Sequence, residues 1–218
     1  MTAEDITYNS QRIKVSIPLG KTIDTIIESF KETTPYFKKH ITQFTHKTLN
    51  EYDLTQEFVA LLRRKTVNSP FLVGQEKADL YHNSGGRVDV YFYWKEETET
   101  TESFFDLEAK ILTNRFPVKR KKEYVIGENK NGGIQRFKIE KHGKGLPQCG
   151  LLGFIEKETS EHWLNSINCW IQELSNSNPT WYDDEVLILK EDDLGCTYLL
   201  SSAHRPSDKV LLHHFWIK

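Results

Sequence analysis

The feature that most constrains this chain is a pair of short alternating runs separated by a polar turn. In Arg87 to Trp94 (RVDVYFYW), Val88, Val90, Phe92 and Trp94 fall on one side of an extended strand, and Arg87, Asp89, Tyr91 and Tyr93 on the other. Phe104 to Leu112 (FFDLEAKIL) repeats the pattern, with Phe105, Leu107, Ala109 and Ile111 opposed to Phe104, Asp106, Glu108 and Lys110. The intervening KEETETTES, Lys95 to Ser103, is too polar for a core, so the two runs predict an antiparallel hairpin turning near Glu99. A one-residue slip would turn one apolar face to solvent. Any register that joins the apolar faces therefore puts Asp89, Glu108 and Lys110 on one surface.

Two carboxylates on rigid strands can hold a hard cation such as Mg²⁺ or Mn²⁺ through oxygen, with positions left for water and a phosphate oxygen. A neighbouring lysine can orient or deprotonate the water and offset developing negative charge. Asp89, a strand-to-strand gap, then Glu108-Ala109-Lys110 resembles the PD-(D/E)XK, or restriction-endonuclease-like, nuclease superfamily. The resemblance is one of pattern and spans roughly Asn50 to Glu156. It departs from the name-giving motif at Val88, where that motif has proline. An outer, solvated hairpin face would carry the same letters, and that bland reading stands beside the catalytic one.

The resemblance implies an α/β fold with a central mixed β-sheet flanked by helices in the order αβββαβ. It implies a metal held by Asp89, Glu108 and the Ala109 carbonyl, with Lys110 acting on water. In such folds a helix before the sheet often adds an acid, and Asn50-Glu51…Leu54-Thr55 is similar to that segment. Asn50 reads as an N-cap with Asp53 three residues on, and Leu54, Phe58, Leu61 and Leu62 form the stripe of a helix through Arg64. Glu51 projects near the middle of that stripe, whereas Glu57 points to its side. A dipole-complementing surface acid is the other reading of Glu51.

Phe71 to Leu80 reads as the first strand of the sheet, with Asn83-Ser84-Gly85-Gly86 turning into the Asp89 strand. Asn131-Gly132-Gly133 predicts a helix start, with Ile134, Phe137 and Lys141 on one side and Gly143 and Gly145 at its end. Gln135 and Arg136 resemble the residues that superfamily members carry near the metal or scissile phosphate; without the resemblance they are surface residues. Cys149 to Ile155 is a continuous apolar run, as for a strand covered on both faces. Ser160 to Leu174 is a packing helix through Trp163, Ile167, Trp170 and Leu174. Glu185 to Leu189, Thr197 to Ser201 and Val210 to Ile217 are three further strands.

Ahead of all this, Arg12 to Ile17 alternates as a strand, and Thr22 caps a helix through Ile23, Ile26, Ile27 and Phe30 that Pro35 interrupts. A second helix through Phe37, Ile41 and Phe44 would follow. Residues 1–49 thus read as an N-terminal appendage and 50–218 as the nuclease-like domain.

A net charge of −2 makes no global case for nucleic acid, but its distribution does. Lys110 to Lys144 holds eleven Lys and Arg against three acids. Lys119, Arg120, Lys121, Lys122, Arg136 and Lys138 are the candidates for phosphate contact, with a solvated basic face as the alternative. Cys149, Cys169 and Cys196 are odd in number and lack C-x-x-C, which predicts reduced, buried thiols in a cytoplasmic setting. No apolar run predicts membrane insertion. His213 and His214 are adjacent in a strand and face opposite ways, which is poor geometry for one metal. His204 and His213 read as structural residues or phosphate contacts.

Together these expectations describe a metal-dependent nuclease for which DNA, more than RNA, is the expected substrate, although nothing in the residues reads one against the other. Family habit adds a restriction or anti-phage setting and a partner protein, and cutting both strands of a duplex asks for two copies. The competing expectation is a non-catalytic nucleic-acid- or partner-binding protein on the same architecture.

Overall fold

The computed structural model describes residues 19–81, 85–96 and 99–218; the side chains of Val118 and Lys119 also lie outside the described set. The expected strand at Arg12 to Ile17 and the Asn83-Ser84 part of the expected turn fall outside it as well. In chain order the elements are α1 (Leu19–Ile41), α2 (Glu51–Lys65), β1 (Phe71–Ala78), β2 (Arg87–Trp94) and β3 (Ser103–Leu112). Then come α3 (Val118–Lys121), α4 (Gly133–Lys138), β4 (Gln148–Ile155), α5 (Ser160–Ser177), β5 (Ile188–Asp193), β6 (Cys196–His204) and β7 (Lys209–Ile217).

The seven strands form one mixed sheet in the order β1-β2-β3-β4-β7-β6-β5. β3 runs parallel to β4 and β4 parallel to β7, while the remaining neighbours are antiparallel. The chain is therefore α/β, with helices on both faces of a mixed sheet. On one face α1 and α2 bury Phe30, Phe37 and Phe58 against Phe92, Phe105, Phe154 and Phe215 of the strands. On the other, Ile134 and Phe137 of α4 and Trp163, Ile167 and Ile171 of α5 cover Leu151, Leu199, Leu212 and Trp216. Among the described residues, no helix is long and apolar enough to cross a membrane.

The hairpin forms with Val90 opposite Leu107 and Tyr91 opposite Asp106. Its charged face, however, is not solvated on β3. That strand lies inside the sheet with a layer on each side, so Asp106, Glu108 and Lys110 are all buried.

Several boundaries differ from expectation. α1 runs unbroken through Pro35, and Thr22 lies inside it instead of capping it. Phe30 packs 5.2 Å and Phe37 5.3 Å from Phe58, so core burial on both sides of the proline outweighs its helix-breaking cost. The same packing makes α1 part of one core with the sheet, so no separate core marks the expected boundary at residue 49. α4 stops at Lys138, before Lys141. Glu185 is in a short 3₁₀ turn, Asp183–Glu185, rather than a strand, and Cys169 is exposed rather than buried.

Candidate active site

β2 and β3 pair regularly only as far as Val90 and Leu107, and the site lies beyond that point. In a continued ladder the amides of Ala109 and Ile111 would meet strand carbonyls. Here they meet carboxylates: Ala109 N donates to Asp89 Oδ2 (2.7 Å) and Ile111 N to Glu51 Oε2 (3.1 Å). Buried amides need acceptors, and here the two amides orient the acids that supply them.

Glu51 reaches the fork because α2 begins there. Asn50 caps it, accepting from Asp53 N (2.9 Å), and Asp53 accepts from Asn50 N (3.1 Å), which places Glu51 as the first helical residue. Glu57, two turns on, instead bonds His40 Nε2 at 2.7 Å, away from the fork.

The Lys110 ammonium occupies the middle of the arrangement. Its Nζ is 2.7 Å from Glu108 Oε1, 2.9 Å from the Ala109 carbonyl oxygen and 3.3 Å from Glu51 Oε1. Those are three of the four metal-ligand positions expected from the sequence, and the fourth, Asp89, stands beside them. The cage of oxygens thus already surrounds one positive charge.

Glu108 is fully buried and is also bound by the Arg136 guanidinium of α4. The His142 ring brings Nδ1 to 3.0 Å from Glu108 Oε2, without the alignment of a hydrogen bond. Both of those atoms are buried with no hydrogen-bond partner. His142 is delivered by close backbone contact: a Cβ on Gly86, at the entry to β2, would lie 1.8 Å from the Lys141 carbonyl oxygen and 2.6 Å from the His142 ring. Only glycine lets these segments meet.

The electrostatics separate the two strand carboxylates. Burial pushes Asp89 up to about 7, with Glu108 adding to the rise against the Ala109 amide and Lys110. Burial works the same way on Glu108, but Lys110, His142 and Arg136 overcome it and hold that carboxyl down at about 2. Burial pulls Lys110 down, yet Glu108, Glu51 and Asp89 together raise it above its ordinary value, so it is an ammonium at neutral pH. One acid is thus permanently ionised and compensated, and the other is poised to change charge.

Other expected site residues go elsewhere. Gln135 turns back to accept from Gly127 N and Gly132 N, both at 3.3 Å, and so closes the loop that starts α4. Lys138 is buried in an ion pair with Glu185, with its Nζ 4.7 Å from the Trp181 ring centroid, so it is not a surface phosphate contact. Arg120 pairs with Glu123 (3.3 Å) and Lys122 with Glu173 (2.7 Å), while Lys121 is half-buried. The side chain of Lys119 lies outside the described residues. The basic run is therefore partly neutralised by acids of its own turn and of α5.

His213 and His214 do face opposite ways. His213 bonds Tyr198 and Gln148, each at 2.8 Å, while His214 bonds Tyr124 (2.8 Å) and Ser201 (2.9 Å). Burial lowers them to about 4 and about 3, the latter also through His213, so both are neutral structural residues. His204 pairs with Asp184 at 3.1 Å. The residue that sequence reasoning passed over is His142. Its signal was being the only histidine in the segment from Lys110 to Lys144.

No protein-family model, curated protein or solved structure matches the chain. Among the described residues, no group of three or more His, Cys, Asp and Glu stands in a ready metal-binding arrangement. The oxygens that converge here do so on the ammonium.

Proposed function

We propose that this protein is a divalent-cation-dependent phosphodiesterase acting on nucleic acid, with a restriction-endonuclease-like core. The observation that carries this reading is the oxygen cage of Glu51, Glu108 and the Ala109 carbonyl around one cationic point, with the Asp89 carboxyl beside it on the Ala109 amide. The order α2, three antiparallel strands, α4 and the parallel β4 is the one the motif's resemblance implies, and supports the reading further. The donors suit Mg²⁺ or Mn²⁺, being hard oxygens that include two strand acids and a backbone carbonyl. Oε2 of Glu108, which faces His142 without a well-aligned hydrogen bond, offers a further donor atom.

Asp89, Glu108, Glu51 and the Ala109 carbonyl would hold the ion. When bound, it would supply Lewis-acid polarisation of a phosphoryl oxygen and a more acidic water. Asp89 gives up its proton more readily as positive charge approaches, which restores the second carboxylate. Lys110, an ammonium on the same strand, would orient water and offset charge on phosphate instead of removing a proton. Arg136, already paired with Glu108 and partly exposed, would be a second cation for a phosphate bound there.

The test is cleavage of plasmid, linear duplex, single-stranded DNA and RNA with Mg²⁺ or Mn²⁺, then with EDTA. Activity that EDTA abolishes, and that Asp89→Asn and Glu108→Gln each reduce by at least about a hundredfold, is expected. Cleavage indifferent to EDTA or to both substitutions overturns the proposal. One observation favours a second reading, a non-catalytic binding protein on this architecture: Glu108 is fully buried and already compensated by Lys110 and Arg136. For that reading, calorimetric titration with Mn²⁺ gives no heat of binding.

A further inference from the structure

The face of β2 that carries Asp89 continues along the strand to Tyr91 and Tyr93, beside β1, the outermost strand on that side among the described residues. There the two phenol rings lie 5.5 Å apart with planes only 26° from parallel. Tyr91 lies flat over Gly74 of β1, where a Cβ would sit 2.0 Å from its ring. The glycine thus lets the ring lean out across the edge strand. Around these rings opens a cleft of about 480 Å³, also lined by Arg63, Leu72 and Lys95. Arg63 is anchored by Nε to the Val73 carbonyl (2.8 Å) and Lys95 by Nζ to the Val67 carbonyl (3.2 Å). Lys77 places its ammonium 4.8 Å from the Tyr91 centroid.

Two cations and no acid line this cleft, although the chain as a whole is slightly acidic. Near-parallel aromatic rings flanked by Arg and Lys suit an unstacked nucleobase with its phosphates. A duplex keeps its bases inside and cannot offer their faces to a protein ring. Successive same-face residues of a strand stand about 7 Å apart. Tyr91 and Tyr93 are therefore one and two such steps from Asp89.

We infer that the Tyr91–Tyr93 cleft is a binding track for single-stranded nucleic acid, leading an unpaired strand toward the Asp89 and Glu108 carboxylates. In naming the ligand it rests on the phosphodiesterase reading of those acids. It adds the substrate class, an unpaired strand instead of a duplex.

The experiment is fluorescence anisotropy of the full chain with a labelled thymidine oligonucleotide of about 15 nucleotides, in EDTA so that nothing is cut. The single strand is expected to bind at least about tenfold more tightly than a duplex of equal length. Tyr93→Ala is expected to weaken binding by about fivefold or more, while Tyr93→Phe, which keeps the ring, preserves it. Lys95→Gln is expected to flatten the log–log salt dependence by about 0.7 for one lost phosphate contact. Tyr91→Ala is compared after its melting curve is matched to wild type, because that ring also packs on β1; Tyr93→Ala and Lys95→Gln stand without it.

Equal affinity for duplex, or affinity unchanged by both tyrosine truncations, overturns the inference. So does a concentration-dependent dimer that Tyr93→Ala disperses while the oligonucleotide fails to bind, since the occupant is then a second copy pairing on β1. The two readings fail separately. Tyrosine-dependent binding without metal-dependent cleavage keeps the track and removes the enzyme. Duplex cleavage that ignores Tyr91 and Tyr93 does the reverse.

Discussion

Replacing Lys110 with methionine keeps the length of the side chain and deletes its charge. In the native arrangement that charge lies 2.7 Å from Glu108 Oε1, 2.9 Å from the Ala109 carbonyl and 3.3 Å from Glu51 Oε1, in a residue only 8% exposed. Removing one partner of a buried ion pair costs about 3–5 kcal/mol, because the other charge stays behind without water. Arg136 remains on the same Glu108 oxygen, so the low end applies, about 3 kcal/mol. For a chain of this size, about 2–4 °C per kcal/mol makes the expected fall in Tm roughly 6–12 °C, read by circular dichroism in EDTA. The second half of the prediction is specific to the cage. With the ammonium gone, Glu51 Oε1 and the Ala109 carbonyl lose their cation and Glu108 keeps only Arg136. At a free Mn²⁺ concentration of about a hundred times Kd, linkage returns about 2.7 kcal/mol, most of the loss. Wild type gains less, since Mn²⁺ must first displace Lys110. A Lys110→Met protein that melts within about 2 °C of wild type, or that Mn²⁺ stabilises less than wild type, refutes the cage argument.

Asp89 should leave a pH signature in the metal-free protein. Its folded pKa of about 7 lies above the ordinary 3.8, so between those values the folded chain holds a proton that the unfolded chain has lost. Stability therefore falls as pH rises from about 4 to 7, by at most about 4 kcal/mol at about 1.36 kcal/mol per pH unit. Urea titrations across that range should show the decline in wild type and a smaller one in Asp89→Asn, where Asp106, also raised by burial, still contributes; a decline of equal size in both sinks the assignment. Gly86→Ala should cost several kcal/mol or displace the 141–142 backbone, since its methyl overlaps the Lys141 carbonyl. An unchanged His142 ring signal and unchanged Tm would contradict the close contact. Lys138→Met should destabilise by about 3–5 kcal/mol by orphaning the fully buried Glu185, and the double variant with Glu185→Gln should recover part of it. Additive losses would mean that the pair is not coupled. Pro35→Ala should raise stability by about 1–3 kcal/mol, because an exposed proline inside α1 lacks the amide that Lys31 would bond. A loss on heating would mean that Pro35 contributes packing instead.

The period-two pattern of the two runs was enough to define the hairpin and the common face of Asp89, Glu108 and Lys110, while the register, with its shift between Phe92 and Tyr93, came from the structure. A one-residue slip would turn the apolar residues of one strand to the opposite face, which excludes every odd shift. The Asn50 cap was equally local, since its bonds span three residues. What the letters could not carry was anything decided by distant packing. Phe30 and Phe37 find Phe58 on either side of Pro35, and that long-range burial holds one helix together where a local rule predicts two. Lys138 looks like one more cation in a basic run until Glu185, far along the chain, encloses it.

At the fork the division is sharper still. Sequence placed two acids and a lysine on one surface. Only the three-dimensional structure decided that β2 and β3 part beyond Val90 and Leu107, and that Asp89 and Glu51 bond the freed amides. It also decided that His142 and Arg136 close over Glu108. Alternation along a strand is set by neighbouring backbone dihedrals and can be read from the order of the residues alone. Where a ladder ends, and which remote side chain takes its unpaired groups, depends on how every layer packs at once.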